Sequence, residues 1–407
     1  MINLNYQFKL KLSKKQIREI DHILEVNCRV YNFAVTERKD WIKSRKSPIN
    51  ACSIFSEYII PAETPYPNYN IQAKNLTIAK QNNPELKSVN AQVLQQTLKT
   101  VDRAFSDMKS KGNGFPRYKK KMRSFVFPAM LKNCLAKGKI KLPQLGWLKI
   151  RQSRDYPTGF DVKQARIVKK ASGYYVILTF QSQEQCPNAP VGKTSLGIDA
   201  GIESFVATSN QELIKAPKFL VKSQRKLKLL QRRLKHKKIG SKNWLKLQQK
   251  IAKVHEQIAN TRKDWHFKLA HNLCNQTDNI FVEDINFKSW SRGIVRKQSL
   301  DSGIGQFINE ILPYICWKRG KFYQKVDKNF TSQECPNCHQ QTGKKSLNQR
   351  LHHCQFCGYQ ENRDIASAKV IKNRGLIAVG QPVIQNACRD GLTGIKQLNL
   401  FDLVKSL

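Results

Sequence analysis

The sequence predicts a mixed α/β protein of several domains. Short stretches alternate apolar and polar residues, as half-buried strands do, and longer stretches repeat apolar residues at helical spacing. Four cysteines cluster in two pairs. The chain of 407 residues is also long enough for two or three domains that each bury their own core.

The first third of the chain predicts one strand followed by helices. Apolar residues recur at every second position over residues 2–12, which predicts a half-buried strand. Ser13 with Gln16 three positions later has the pattern of a capping box and predicts that a helix begins directly after this strand. Residues 94–108 repeat apolar side chains at steps of four and three, typical of an amphipathic helix, whereas residues 47–84 indicate irregular structure.

The middle of the chain predicts a small sheet and then a new domain. Three strand-like runs over residues 139–180 indicate a sheet or barrel that the first strand completes. A linker-like stretch at residues 186–193 precedes two strands on either side of Gly201, where a second domain begins. Two helical stretches follow and turn at Gly240, which predicts a helical hairpin. Residues 288–305 are polar and indicate a mobile loop.

The charge of the chain is strongly positive. Lys and Arg number 72 against 29 Asp and Glu, a net charge of +43, and a polyanionic partner is the simplest reason to carry such self-repulsion. Nucleic acid is the leading candidate and a membrane surface is the second. Residues 109–154 carry 14 basic side chains and no acidic one, and residues 213–255 carry 15 and no acidic one. Solvated helix faces are the alternative, but such faces normally mix both signs of charge.

Basic and aromatic residues interleave in the sequence GFPRYKKKMRSFVF of the first basic stretch. This pattern favours phosphate contacts combined with stacking on unpaired bases, although Phe125 and Phe127 fit a protein core equally well. The expected nucleic-acid contacts of the two stretches are Arg117, Lys119, Lys120, Lys121, Arg123, Arg225, Arg232 and Arg233.

Four of the eleven cysteines form two CxxC pairs. Cys335, Cys338, Cys354 and Cys357 have the C-x2-C-x15-C-x2-C spacing of a four-thiolate zinc site. Because four thiolates close the coordination shell, we expect one structural Zn²⁺; an iron–sulfur or redox role is the weaker alternative. The other seven cysteines are scattered singly, which indicates reduced thiols in a cytosolic protein.

Membrane insertion and export are not indicated by the sequence. No apolar run approaches the ~18 residues that cross a bilayer, and the alternating N-terminus is unlike a signal peptide. We therefore expect a soluble, cytoplasmic protein.

Three acidic residues stand at strand ends or at a helix start. Asp199 lies within the apolar run SLGIDAGIESFVA, Glu283 ends the strand-like run of NIFVEDINF, and Asp364 opens the helical stretch of NRDIASAKVI. An isolated aspartate of this kind is more often a satisfied cap or turn residue. Three such positions together favour a site for two Mg²⁺ ions that acts on a phosphodiester, because carboxylate oxygens suit this hard cation.

Taken together, these residues resemble the RuvC-like nuclease of the TnpB family, the transposon-encoded relatives of type V CRISPR effectors. The resemblance covers nearly the whole chain and rests on FPRYKKK, LGIDAGI, SKNWLK, IANTRKDWHFKLA, VEDINF, the CxxC pairs and NRDIASA. It implies an RNA-guided DNA endonuclease in which one RuvC-like site cuts both strands. Its catalytic, magnesium-binding carboxylates would be Asp199, Glu283 and Asp364. Asp284 should point to the opposite side of its strand and serve structure.

The resemblance also implies an order of domains. We expect an RNase H-like RuvC nuclease domain with an inserted four-cysteine zinc ribbon, preceded by a small wedge-like β-barrel with an inserted helical recognition region. The expected bounds are 1–12 for the first barrel strand, 13–130 for the recognition region, 131–190 for the rest of the barrel, 191–329 and 361–374 for the two parts of the nuclease domain, 330–360 for the ribbon, and 375–407 for a tail of unknown order.

The partners that the resemblance implies are a guide RNA from the transposon end and double-stranded target DNA. The protein would read a short duplex motif and leave the remaining target to base pairing, by analogy with larger guided nucleases. We expect a monomer with one RNA, acting in the prokaryotic cytoplasm and not at a membrane.

Two positions depart from the family pattern. Asn362 stands where the family often has Asp, and Ala366 stands where it often has Asn. Since the metal ligand Asp364 is kept, we expect catalysis to survive with altered surroundings.

Three other functions compete with a guided nuclease. A nuclease-silent, RNA-guided repressor would not need the three carboxylates. An unguided RNase H-like recombinase or transposase would not need the N-terminal barrel and its acid-free segment. A zinc-ribbon transcription accessory is the most distant alternative.

Overall fold

The computed structural model describes residues 2–46, 60–130, 133–183, 189–290, 296–346 and 349–382. The chain divides into two compact units, Met1–Cys186 and Pro187–Leu407. Within the described ranges, no helix combines the length and the apolar character that a membrane span requires.

The first unit contains a seven-stranded antiparallel sheet. Its strands are β1 (Ile2–Lys11), β2 (Ser124–Phe127), β3 (Leu135–Ala136), β4 (Lys139–Leu142), β5 (Gly146–Arg151), β6 (Asp161–Lys170) and β7 (Gly173–Ser182). Their order across the sheet is β2-β6-β7-β1-β5-β4-β3. The first strand, which the alternation of residues 2–12 predicts, therefore joins the sheet between β7 and β5, at its centre.

Strand β2 lies within the range expected to be helical. Its alternating residues Phe125 and Phe127 are buried in the core of the unit, so these two rings are not available for stacking on bases. Every second side chain of β2 is buried, as expected for a strand with one face against the core. Strand β2 pairs with β6 in the sheet.

Among the described residues of this unit, four helices accompany the sheet. They are α1 (Lys14–Ser44), α2 (Tyr69–Asn82), α3 (Pro84–Lys87) and α4 (Ala91–Lys111). The capping box before α1 is confirmed, since the Ser13 hydroxyl accepts from the Gln16 N–H and the Gln16 side chain accepts from the Ser13 N–H. Helix α2 corrects the prediction of irregular structure. It fully buries only Gln72, and its apolar stripe is short, since Tyr69, Ala73 and Leu76 are partly buried against the core. Residues 47–59 lie outside the described residues.

The second unit contains a five-stranded mixed sheet. Its strands are β8 (Ser195–Asp199), β9 (Val206–Thr208), β10 (Leu213–Ile214), β11 (Asn279–Glu283) and β12 (Phe322–Val326), in the order β10-β9-β8-β11-β12. Strands β8, β11 and β12 are parallel to one another. Strands β9 and β10 extend the sheet in antiparallel fashion beyond β8.

Two long helices form the predicted helical hairpin. They are α5 (Phe219–Lys235) and α6 (Lys242–Gln276), and Gly240 between them has a φ of 84°, which favours glycine in the turn. The stretch expected to be a mobile loop is instead largely helical where it is described. It contains α7 (Phe287–Trp290), α8 (Arg296–Ser302) and α9 (Ile304–Gln306), while residues 291–295 lie outside the described residues. The buried Ile304 anchors it to the core of the unit.

The rest of this unit surrounds the cysteine pairs. A π-helical turn (Phe307–Ile311) continues into α10 (Leu312–Lys318). Strands β13 (Leu351–His353) and β14 (Gln360–Asn362) pair with each other, and α11 (Arg363–Ala378) follows directly. The first residues of the expected tail therefore belong to α11, and residues 383–407 lie outside the described residues.

Helix α11 lies in very close contact with the parallel strands. A Cβ atom on Gly197 of β8 would be 2.0 Å from the backbone oxygen of Ala368, and a Cβ on Gly375 of α11 would be 2.1 Å from the ring of Phe281 in β11. Only glycine permits these approaches. They hold α11 at a fixed distance from β8 and β11.

Candidate active site and metal centre

Asp199, Glu283 and Asp364 line one cavity in the second unit, together with Glu203. Asp199 and Glu283 are the last residues of the parallel strands β8 and β11, so both lie at the same edge of the sheet. Asp364 lies in the first turn of α11. All three line a cavity of about 900 Å³. The structure thus brings together the three acids that the sequence singles out.

Burial disfavours the charged forms of Asp199 and Glu283. The pKa of Asp199 is raised well above its usual value by burial and by the neighbouring Glu283 and Asp364 carboxylates. Burial also raises the pKa of Glu283, against the opposing effects of a hydrogen bond from Thr331 and the charge of Arg374. A bound cation would relieve both effects, because it stabilises the ionised carboxylates.

Basic side chains line the same cavity. Lys328, Arg350 and Arg363 all face it, and Arg350 forms an ion pair with Glu203 at its rim. The Arg363 guanidinium donates to the Ser346 carbonyl at 3.0 Å, which fixes its position beside the carboxylates. The cavity therefore offers sites for cations and for the anionic groups of a substrate. Arg363 lies within the NRDIASA motif, which does not predict that this side chain lines the site, and no sequence motif identifies Lys328 or Arg350.

Asp284 lies apart from this cavity. Its exposed carboxylate pairs with Lys325 at 2.9 Å, which lowers its pKa, and it lines a separate cavity of about 640 Å³. Adjacent residues along a strand point to opposite sides, so the side chains of Glu283 and Asp284 line different cavities, as expected.

The two departures from the family pattern have clear structural settings. Asn362 is the N-cap of α11, and its side-chain oxygen accepts from the Asp364 N–H at 3.0 Å. Asn and Asp cap helices about equally well, so this substitution preserves the start of the helix. Ala366 is buried within α11.

The four predicted cysteines form a compact group. Their sulfur atoms all lie within 4.8 Å of one another, with 3.7 Å between Cys335 and Cys357 and 3.5 Å between Cys338 and Cys354. Tetrahedral Zn–S bonds of ~2.3 Å imply S···S distances of about 3.8 Å, so the group could hold a zinc ion. Among the residues that the structure describes, no other set of three or more His, Cys, Asp or Glu ligand atoms lies this close together. The three carboxylates are thus less tightly grouped than the cysteines.

The basic segment of the first unit is fastened to α1. The Asn32 side chain donates to the Lys119 carbonyl at 2.9 Å and accepts from the Lys119 N–H at 2.8 Å. The Lys119 ammonium lies 3.8 Å from the centroid of the Tyr31 ring, and burial lowers its pKa. Lys119 therefore differs from its neighbours. The other expected contacts of this segment are exposed, namely Arg117, Lys120, Lys121 and Arg123.

In the helical hairpin, Arg225, Arg232 and Arg233 are exposed on α5. The buried face of the same helix consists of Phe219, Leu227 and Leu230. The arginines are therefore free of the hairpin core, as a contact surface for nucleic acid requires.

Three family models match the chain. The model OrfB_IS605, described as a probable transposase, matches residues 177–292, and a Cas12f1-like TNB domain matches residues 306–371. A model described as a helix-turn-helix domain matches residues 1–47, where the structure has the strand β1 followed by the single helix α1.

Two named relatives agree with these matches. "Putative RNA-guided DNA endonuclease InsQ" of Escherichia coli (strain K12) is 30% identical over 317 residues, which cover 74% of this chain and 77% of the relative. "TnpB-like protein L79" of Acanthamoeba polyphaga mimivirus is 29% identical over 200 residues, 45% of this chain and 38% of the relative.

The fold is similar to that of a protein solved in the "Cryo-EM structure of the Cas12f1-sgRNA-target DNA complex". The TM-score is 0.52 at 15% sequence identity, and the match covers 89% of this chain and 83% of that chain. With the family models and the relatives, the chain belongs to the TnpB family of transposon-encoded RNA-guided nucleases.

Proposed function

We propose that this chain is an RNA-guided endonuclease that cleaves double-stranded DNA with Mg²⁺ at Asp199, Glu283 and Asp364. The convergence of these three carboxylates in one cavity is the observation that carries the proposal. The activity in the printed name of the relative InsQ points the same way. We assign the second unit to the RuvC-like, RNase H-like class. Asp199 and Glu283 end adjacent parallel strands, and Asp364 lies in the first turn of the helix packed on them.

The donor set fits magnesium. All three groups offer carboxylate oxygens, the ligands that this hard cation prefers. Burial raises the pKa values of Asp199 and Glu283, and a bound cation would offset this cost of the charged forms. Two ions could share the three groups. When bound, Mg²⁺ would supply charge neutralisation at the scissile phosphate.

The side chains around the carboxylates have complementary tasks. Lys328, Arg350 and Arg363 bind and orient the phosphates of the entering strand, because each lines the cavity and carries a positive charge. The Arg350 guanidinium pairs with Glu203, so a bound phosphate would compete with the Glu203 carboxylate for it.

The four cysteines would hold one structural Zn²⁺. Their sulfur atoms leave no open coordination position for a substrate. Zinc would therefore contribute to the folding of residues 330–360 and take no part in the chemistry.

The remaining assignments concern the nucleic-acid partners. A guide RNA from the transposon end would contact the exposed basic residues of the first unit and of α5, and base pairing would select the target beside a short duplex motif. We assign residues 1–12 and 131–190 to a wedge-like barrel and residues 13–130 to recognition, except that β2 belongs to the barrel sheet, where it pairs with β6. A monomer with one RNA in the prokaryotic cytoplasm completes the proposal.

The test uses the protein purified with its RNA. RNA that copurifies is sequenced, and a duplex that contains the matching target is incubated with Mg²⁺ or with EDTA. We expect the duplex to be cleaved with Mg²⁺ and not with EDTA. Metal-independent cutting would overturn the carboxylate site, and tight guided binding without cutting by the wild type would favour a nuclease-silent repressor.

A further inference from the structure

The segment of residues 327–335 connects the cysteine group to the carboxylate cavity. It follows β12 and ends at Cys335, the first of the four cysteines. In its middle, the side chain of Thr331 lines the carboxylate cavity. One short piece of chain thus contacts both candidate metal sites.

Thr331 holds the carboxylate of Glu283. Its side chain is 4% exposed, and its hydroxyl donates a hydrogen bond to Glu283 Oε1. Glu283 is itself buried at the end of β11. Because this bond occupies one carboxylate oxygen, it sets the rotation of the group and the direction of the other oxygen. Thr is β-branched and its χ1 is stiff, which suits it for this task.

Helix α11 clamps the same segment. The Arg374 guanidinium donates to the carbonyls of Asp327 at 3.0 Å and Asn329 at 2.7 Å, and it pairs with Glu334 at 2.6 Å. Glu334 directly precedes Cys335 and also contacts His339 at 3.1 Å. The position of Thr331 therefore depends on α11 on one side and on the cysteine group on the other.

We propose that Thr331 is a positioning residue that orients Glu283 for a divalent cation. The proposal rests on the proposed function, since it takes Glu283 as a ligand. It predicts that loss of the hydroxyl weakens cation binding at the carboxylates without changing zinc content or guided DNA binding.

The test compares Thr331→Val, Thr331→Ser and Thr342→Val with the wild type. Thr331→Val keeps the shape of the side chain and loses the donor, whereas Thr331→Ser keeps the donor. Thr342→Val is the matched control. Its hydroxyl donates to the Gln333 carbonyl and accepts from Lys345 in the same ribbon, and it does not line the carboxylate cavity.

The readout is Mn²⁺ affinity of the full RNA-free chain, measured by electron paramagnetic resonance, with Asp199→Ala to identify the carboxylate site. Removal of a residue that orients a metal ligand typically weakens binding by about 10- to 100-fold. We expect this loss for Thr331→Val, near wild-type affinity for Thr331→Ser, and unchanged affinity for Thr342→Val. Cleavage should shift in parallel, to a higher Mg²⁺ concentration for half-maximal rate.

The outcomes separate this inference from the proposed function. If Asp199→Ala binds Mn²⁺ like the wild type and still cuts, the carboxylate site itself is wrong. If Asp199→Ala loses both Mn²⁺ binding and DNA cleavage but Thr331→Val keeps wild-type Mn²⁺ affinity, the positioning role of Thr331 is overturned. Equal losses in Thr331→Val and Thr342→Val, together with lost zinc, would reduce Thr331 to a stabilising residue of the ribbon and also overturn the proposal.

Discussion

Gly197 of β8 lies directly against Ala368 of α11, so closely that a Cβ atom on Gly197 would be 2.0 Å from the Ala368 oxygen and 2.6 Å from the Lys372 nitrogen. This contact fixes the distance between the strand that ends in Asp199 and the helix that begins beside Asp364. Both neighbours are backbone atoms, which cannot move independently of the helix.

Gly197→Ala should therefore force α11 away from β8. Overpacking of a well-packed core typically costs about 1–3 kcal/mol, so we expect a lower midpoint of thermal unfolding and a large loss of cleavage. The matched control is Gly114→Ala, because nothing lies within 4 Å of a Cβ at that position. A Gly197→Ala protein as stable and active as the control would contradict the close packing.

Zinc should be lost when one of its proposed ligands is replaced. We expect Cys354→Ser to contain no stoichiometric zinc and to unfold at lower temperature, since small ribbons gain much of their folding free energy from the metal. Cys28→Ser is the control, because Cys28 is buried elsewhere and donates to the Lys119 carbonyl, a bond that serine can also form. Zinc content is measured on the purified proteins. Full zinc in Cys354→Ser would rule out the four-cysteine site.

The salt dependence of nucleic-acid binding should distinguish neighbouring lysines. Exposed Lys120 and Lys121 are expected to contact phosphates, so their joint replacement by Ala should reduce the slope of log K against log salt by about 1.4–1.8. Lys119→Ala should leave the slope unchanged, because that ammonium lies over the Tyr31 ring. The slopes are measured by gel shift at several salt concentrations. An equal effect of all three lysines would show that Lys119 leaves Tyr31 to bind phosphate.

The buried His266 should make the protein sensitive to acid. Burial, with the nearby Arg262 charge, lowers its pKa to about 4, and the unfolded chain restores an ordinary value near 6.5. The unfolded state then binds more protons between these values, so stability should fall by about 3 kcal/mol as the pH drops from about 6.5 to about 4.

His266→Gln cannot take up this proton. Its free energy of unfolding, measured by denaturant titration at several pH values, should therefore depend less on pH over the same window. A variant with the same pH profile as the wild type would show that His266 is not the group responsible.

The acids and the cysteines are predictable from the sequence because their chemistry is tied to local position. Asp199 and Glu283 end apolar runs, and parallel strands bring such ends to one edge of a sheet. The CxxC spacing likewise fixes the geometry of the cysteine group without knowledge of the rest of the chain. These features depend on short stretches of sequence.

Other parts of the site depend on long-range contacts that no local pattern records. Thr331 reaches Glu283 across 48 positions of sequence, and Arg374 reaches Asp327 across 47. Helix α2 is missed because its apolar stripe is short: it fully buries only the polar Gln72, and Tyr69, Ala73 and Leu76 are only partly buried. Lys119 looks like its basic neighbours in the sequence, and only the contact with Tyr31 separates it from them.

Two adjacent carboxylates offer the most direct test of the central claim that Asp199, Glu283 and Asp364 form a magnesium-dependent nuclease site. Glu283→Gln and Asp284→Asn each neutralise one acid, yet Glu283 lines the carboxylate cavity and Asp284 pairs with Lys325 outside it. An exposed ion pair such as that of Asp284 contributes about 0–1 kcal/mol, so its loss should leave the fold intact.

The measurement is the single-turnover cleavage rate of a guide-matched duplex in Mg²⁺, with a gel shift on the same DNA. We predict that Glu283→Gln, like Asp199→Ala and Asp364→Asn, loses cleavage by at least about 1,000-fold while it keeps guided binding, and that Asp284→Asn cuts at close to the wild-type rate. Cleavage by Glu283→Gln at the rate of Asp284→Asn would contradict the account.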